Sequence, residues 1–266
     1  MTIFINDLIP TLRLWQAEAL EKCRRWFLET ATDNHFCLIT APASGKTKAS
    51  CAIAQLLFEE DEIDATIVIA PQNNVVTSWA KDYELITGRV MGKVTAADGD
   101  LSQIQMDISA TWSAVQGLRQ ELQAVCRAKR TLVICDESHH AAVSAAWGES
   151  GDSAFQDARY VLVLSGTPIR SDGESSLYLG IDHKGAMEQP EGGRFTLTYG
   201  EAVKLGYCRP ATFHRHKGTF EVQLANNDSV TVSGYQSAEL DKSLNNVSGL
   251  QRSLDFYRLA CVPQYE

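Results

Sequence analysis

Gly45-Lys46-Thr47, reached from Thr40 through Ala41-Pro42-Ala43-Ser44, has the most definite chemistry in this chain. It lies between an apolar run, Phe36-Cys37-Leu38-Ile39, and an apolar helical pattern that begins near Lys48. A strand, a short loop ending in Gly-Lys-Thr and a helix form a phosphate-binding loop. Backbone N–H groups from Ala43, Ser44, Gly45 and the residues after them point inward at a phosphate. The helix N-terminus adds the positive end of its dipole. Lys46 supplies a cation for the outer phosphates, and Thr47 a hydroxyl for magnesium. The expected ligand is a nucleoside triphosphate. The usual loop opens with Gly where this chain has Thr40, and Ala43 stands where another Gly is common. Taken alone, the loop also reads as a surface turn with an exposed lysine.

A second constellation lies downstream, in Thr131-Leu132-Val133-Ile134-Cys135-Asp136-Glu137-Ser138-His139-His140. A buried apolar strand runs straight into two adjacent carboxylates. In a parallel sheet the C-terminal ends of the strands face the ligand crevice, so Asp136 is expected beside the phosphate loop, holding magnesium through its water shell. Glu137 is placed to orient and deprotonate an attacking water, as phosphoryl transfer requires. Acidic pairs are also common at exposed strand ends. The phosphate loop upstream is what gives this pair its meaning.

These residues need a scaffold, and the apolar pattern supplies one. Strand-like runs are expected at Phe36–Thr40, Ala65–Ala70, Asp107–Ala110, Thr131–Cys135 and Tyr160–Leu164. Amphipathic helices are expected over Arg13–Thr30, Lys48–Phe58, Val75–Tyr83 and Val115–Ala128. Strands rich in Val, Ile and Leu alternating with helices imply an α/β fold, mainly a parallel sheet with helices on both faces. Asp172–Gly193 reads as loops, Thr212–His216 and Thr219–Leu224 as short strands, Asn226-Asn227-Asp228 as a turn, and Ala238–Leu259 as one or two helices.

Composition sets bounds. The chain has 266 residues, 44% hydrophobic and 21% charged, which suits a globular protein of one large domain or one domain with an appendage. Its net charge of -9 argues against coating nucleic acid by bulk charge but leaves room for a local phosphate-gripping groove. Glu59-Glu60-Asp61-Glu62 reads as a solvated helix end. Seven scattered cysteines without a Cys-x-x-Cys pair fit a reduced, cytoplasmic setting. Cys135, His139 and His140 lack a fourth zinc ligand at usable spacing. No apolar run is long enough to span a bilayer, and the N-terminus lacks a secretory pattern.

With these pieces in order, the chain resembles the N-terminal RecA-like lobe of superfamily 2 DEAD/DEAH-type helicases and translocases, over roughly residues 10 to 215. The closest flavour is the bacterial and phage group that includes restriction-enzyme motors. Leu12-Arg13-Leu14-Trp15-Gln16 looks like the family's adenine-reading motif. The resemblance implies that Gln16 pairs with the adenine edge and that Arg13 shapes the pocket. Ile67-Val68-Ile69-Ala70-Pro71-Gln72-Asn73 resembles a segment that touches the nucleic-acid backbone through Pro71 and Asn73. Thr111-Trp112-Ser113 looks like a second such segment, with Thr111 on another phosphate. Trp79 and Trp112 read best as core. Val163-Leu164-Ser165-Gly166-Thr167-Pro168 looks like the coupling motif, usually Ser/Thr-Ala-Thr-Pro. Through it Ser165 and Thr167 would link the carboxylates and His139 to the nucleic-acid groove.

The resemblance implies ATP and Mg2+ as ligands and DNA or RNA, DNA favoured, as partner. A membrane plays no part. It also implies a second lobe carrying an arginine finger, for which residues 216–266 leave no room beyond a linker and a first helix. Either the chain is a piece of a longer protein or a partner supplies the other half. A nucleotide-regulated nucleic-acid-binding module without its own turnover is the alternative. A P-loop kinase or signalling NTPase would have no need of the Pro71, Thr111 and Ser165 motifs.

Overall fold

The computed structural model describes residues 3–30, 33–94, 101, 107–137, 153–166, 188–210, 219–223 and 229–233. Two compact units emerge, Met1–Pro210 and Ala211–Glu266.

The first unit is built on seven strands: β1 His35–Thr40, β2 Ala65–Ala70, β3 Met91–Lys93, β4 Asp107–Thr111, β5 Thr131–Asp136, β6 Tyr160–Ser165 and β7 Arg194–Leu197. Their order across the sheet is β3-β4-β2-β5-β6-β1-β7, and every pairing is parallel. The five inner strands are buried almost throughout, which is why all but β4 (Asp-Ile-Ser-Ala-Thr) read as continuous apolar runs rather than alternating ones.

Two helical layers cover the sheet. On one face lie α2 (Leu14–Arg24), α3 (Lys46–Glu59) and α4 (Asn73–Thr87), packed on Phe36, Leu38, Val68, Leu132, Ile134 and Leu162. On the other lie α5 (Trp112–Gly117) and α6 (Arg119–Ala128), packed on Cys37, Ile39, Ile67, Val133 and Cys135. A short helix, α1 (Ile5–Leu8), precedes them. The expected α/β architecture with both faces covered is the one observed.

Several details differ from the sequence expectation. The first helix runs as α2 and then as a π-helical stretch, Arg25–Thr30. Its buried stripe passes through Trp15, Ala19 and Cys23, leaving Leu14 68% exposed. The expected helix over 115–128 is two helices broken at Leu118, after Gly117, whose missing side chain weakens a helix interior. Three strands went unforeseen: the short edge strand β3, the other edge strand β7 and, in the second unit, Ser229–Ser233. So did α7 (Tyr199–Lys204), although its N-cap carries a readable signal: Thr198 and Glu201 form a capping box. The acidic run does end a helix at the surface, yet it is partnered. Asp61 pairs with Arg130, and Glu62 accepts hydrogen bonds from Arg159 and Tyr160.

In the second unit, β8 (Thr219–Gln223) pairs antiparallel with β9 (Ser229–Ser233). The expected strand 212–216, the turn 226–228 and the helices over 238–259 lie outside the described residues, as does most of the loop region 172–193.

Candidate functional site

Parallel pairing aligns the C-terminal ends of the strands along one rim. Read across it, the rim carries Thr111 (β4), Ala70-Pro71 (β2), Asp136-Glu137 (β5), Ser165-Gly166 (β6) and the loop after Thr40 (β1). Sequence-distant candidates therefore become neighbours. β6 lies between β5 and β1, so the carboxylates start about 9–10 Å from the phosphate loop, two strand spacings away. Side chains close that gap. Lys46 Nζ donates to Glu137 Oε1 at 2.7 Å, and the Gly166 N–H donates to Glu137 Oε2 at 3.3 Å. Gly166 has no side chain to stand in the way: a Cβ there would lie 3.1 Å from Pro42 Cγ and 3.4 Å from Lys46 Nζ.

The phosphate loop is held from beneath. Ser44 Oγ donates to Thr40 Oγ1 at 3.1 Å, and the Ser44 N–H closes a turn onto Ala41 O. Ala43 has a φ of 60° and Gly45 a φ of 108°, both in the left-handed region. That conformation suits Gly and strains Ala. Gly45 then leads into α3, so the unpaired N–H groups of that helix's first turn, beginning at Lys46, face the loop's concavity. Glu137 also has a positive φ, 48°. Backbone strain thus falls on the loop and on the carboxylate facing it.

Arg13 and Gln16 come to the same place from α2. Gln16 is 2% exposed; its Nε2 donates to Gly45 O at 2.9 Å and its Oε1 accepts the Arg13 N–H at 2.8 Å. The Arg13 guanidinium donates to Ser44 O and lies 5.1 Å from the centre of the Tyr207 ring. Both side chains brace the phosphate loop directly. A Cβ on Gly45 would stand 2.7 Å from Gln16 Nε2, so only glycine permits this approach.

Asp136 is 8% exposed. Its Oδ2 accepts the indole N–H of Trp79 at 2.8 Å, and its backbone carbonyl accepts that of Trp112 at 3.2 Å. Burial pushes its carboxyl above the ordinary range, while the Trp79 hydrogen bond and the charge of Lys46 draw it back down. Both tryptophans are core residues, as expected, but sequence reasoning missed their second role as donors to Asp136. Only their identity hinted at it, since a buried indole N–H needs an acceptor.

The donor set suits a nucleotide with magnesium. A left-handed Gly45, a helix N-terminus, a lysine at the loop, the Thr47 hydroxyl and a buried carboxylate lie on one rim. Pro71 and the exposed Asn73 stand at the start of α4. Thr111 caps α5, its hydroxyl accepting the Ala114 N–H at 3.2 Å and pairing with Ser113 Oγ at 2.9 Å. Ser165 is buried at the end of β6. His139, His140 and Thr167 lie outside the described residues. Cys135, once weighed as a metal ligand, is buried in β5 toward α5 and α6, and burial pushes its thiol up.

The model of a family described as type III restriction enzyme, res subunit, matches residues 9–170. The uncharacterized protein Rv2917 of Mycobacterium tuberculosis is 28% identical over 211 residues, 79% of this chain and 34% of its own. An uncharacterized protein of Mycobacterium leprae, ML1624, is 27% identical over 216 residues, 80% of this chain and 35% of its own. The chain thus spans about a third of the length of the curated relatives it matches. Among solved structures, a nuclease-deletion mutant of the type ISP restriction-modification enzyme LlaGI, in complex with a DNA substrate mimic, superposes with a TM-score of 0.54. It is 16% identical and covers 74% of this chain and 20% of its own. No helix among the described residues is long and apolar enough to cross a membrane.

Proposed function

We propose that this chain, which belongs to the type III restriction enzyme res subunit family, is the ATP-binding lobe of a superfamily 2 motor that couples ATP hydrolysis to movement on nucleic acid. The observation that carries this reading is the convergence of Lys46, Glu137 and Gly166 from three adjacent strand ends. In this reading the first-turn amides of α3 and the Lys46 ammonium take the β- and γ-phosphates of ATP. Thr47 and Asp136 hold Mg2+, which supplies charge neutralisation at the phosphates. Glu137 then accepts the proton of a water that attacks the γ-phosphorus, with ADP as leaving group. Gln16 and Arg13, already set against the loop, read the adenine edge.

Pro71, Asn73 and Thr111 sit at neighbouring strand ends, and we assign them to backbone phosphates of one strand. DNA is favoured, because the LlaGI relative was solved with a DNA substrate mimic. Ser165, together with His139 and Thr167, is assigned to coupling. Residues 1–215 form the lobe and 216–266 the start of a connection to a second lobe, supplied by the same chain or in trans. The length of the relatives, of which this chain spans about a third, leaves room in those proteins for a further lobe. The scattered cysteines support a cytoplasmic setting.

The test is binding of ATP with Mg2+, and of a single-stranded oligonucleotide, to the chain. Strand binding should weaken with salt at about −0.7 in log–log slope per phosphate contacted, without strong sequence preference. ATP binding with negligible turnover, rising when a second lobe is supplied, fits the motor reading, since an arginine finger is worth about a thousandfold or more in rate. Turnover that stays negligible when a second lobe is supplied fits the binding-module alternative. Failure to bind ATP refutes both.

A further inference from the structure

Asp136 is gripped from both faces of the sheet. Along β5, Leu132 and Ile134 point to the layer of α2–α4, while Val133 and Cys135 point to that of α5–α6. Strand alternation puts the Asp136 side chain on the α2–α4 side. There Trp79, 2% exposed on α4, donates its N–H to the carboxylate. From the opposite face Trp112, 1% exposed at the start of α5, donates its N–H to the carbonyl of the same residue. Each indole belongs to an element that begins at a rim loop. α4 starts at Asn73, less than two turns before Trp79, and Trp112 directly follows Thr111. The two loops assigned to nucleic-acid phosphates are therefore each tied, through one packed helix and one hydrogen bond, to the residue assigned to Mg2+.

We propose that Trp79 and Trp112 are positioning residues that hold Asp136 from opposite faces of the sheet and carry strand binding at the Asn73 and Thr111 loops to that carboxylate. The inference rests on the roles proposed above for Asp136 and for the two loops. A close-packed interior transmits small displacements rather than absorbing them. A shift of α4 or α5 on strand binding re-aims Asp136, and by reciprocity Mg2+ with ATP changes strand affinity by the same factor.

The experiment measures ATP affinity of the 266-residue chain with Mg2+ and with EDTA, each with and without a single-stranded oligonucleotide. It is run on wild type, Trp79→Phe and Trp112→Phe, which keep an aromatic ring but lose the five-membered ring that carries the indole N–H. In wild type the oligonucleotide should tighten ATP binding about fivefold or more with Mg2+ and leave it unchanged in EDTA. In Trp79→Phe that factor should fall below about twofold, while ATP affinity in EDTA and strand affinity without nucleotide stay near wild type. Indole N–H resonances of the isotope-labelled wild type give a second readout that needs no stable variant. The Trp79 signal should move both with Mg2+ and ATP and with the oligonucleotide. Wild-type coupling in both variants, equal loss in EDTA, or a Trp79 signal blind to the oligonucleotide overturns the proposal. If wild type binds both ligands without coupling, the inference falls alone; if it binds neither, the reading of the site falls first, and the wild-type arm shows which.

Discussion

Lys46 and Glu137 hold each other at 2.7 Å, with side chains 11% and 25% exposed. On the proposed reading, phosphates of an incoming nucleotide would meet both the ammonium they need and a carboxylate that repels them. Removing one partner or the other should therefore move ATP affinity in opposite directions. A charge-assisted hydrogen bond contributes about 1.5–3 kcal/mol. In Lys46→Ala that contact is lost and Glu137 is left uncompensated, so ATP should bind at least about 12- to 150-fold more weakly. In Glu137→Gln the repulsion goes while the shape stays. The ammonium has three donors and can serve the carboxylate and a phosphate together, so only part of the pair energy is at stake. A gain of about 0.7–1.4 kcal/mol, or three- to tenfold tighter binding, follows. The double variant should recover part of the Lys46→Ala loss, and the cycle gives the coupling directly. Calorimetric titration of each variant with ATP and Mg2+ is the assay. Weaker binding by Glu137→Gln, or unchanged binding by Lys46→Ala, would refute the assignment of this ion pair to the phosphate site.

Gly45→Ala should both destabilise the fold and weaken ATP binding. At a φ of 108° a Cβ is strained by about 1–2 kcal/mol and also meets Gln16 Nε2 at 2.7 Å; an unchanged Tm and affinity would contradict the close approach of α2. Asp136→Asn should raise Tm at pH 7 while removing Mg2+-dependent tightening of ATP. Burial raises the folded carboxyl above its unfolded value, so the stability Asp136 offers is present below the ordinary range near pH 4 and lost as pH rises through the folded value. The Tm advantage of the Asn variant should accordingly shrink as pH falls toward 4. An advantage that is absent at pH 7, or grows with acid, would reverse the sign argued here.

How much of this was legible in the sequence follows from which signals are local. Four of the five inner strands announced themselves because burial on both faces turns them into apolar runs, β4 (Asp-Ile-Ser-Ala-Thr) being the exception, and the observed bounds of all five lie within a residue of the expected ones. The proposed phosphate loop and the Asp136-Glu137 pair stand out in the sequence for a similar reason: each proposed role depends on a few consecutive residues at a strand end. Edge strands β3 and β7 were not, being three and four residues long and half open to solvent. Which of the adjacent large apolar residues Leu14 and Trp15 turns inward is not a local property: Trp15 is buried, its ring stacked with Phe195, and Leu14 is exposed.

The tertiary links of the site were illegible in principle. Nothing in Gly166 says that a strand end lies between Lys46 and Glu137, because strand order is a property of the sheet and not of any segment. Trp79 shows the limit most clearly. Its place on the helix made it a core residue, and it is one. That a buried indole must find an acceptor was also foreseeable. Which acceptor it finds, 57 positions away, is settled only when β5 is laid beside β2 and the alternation of β5 turns Asp136 toward α4. On the proposed reading the same geometry gives the residue its function: a donor committed to a buried carboxylate at the rim fixes where that charge points. Core and site are then one structure here, and a substitution chosen to test the first will also be read out in the second.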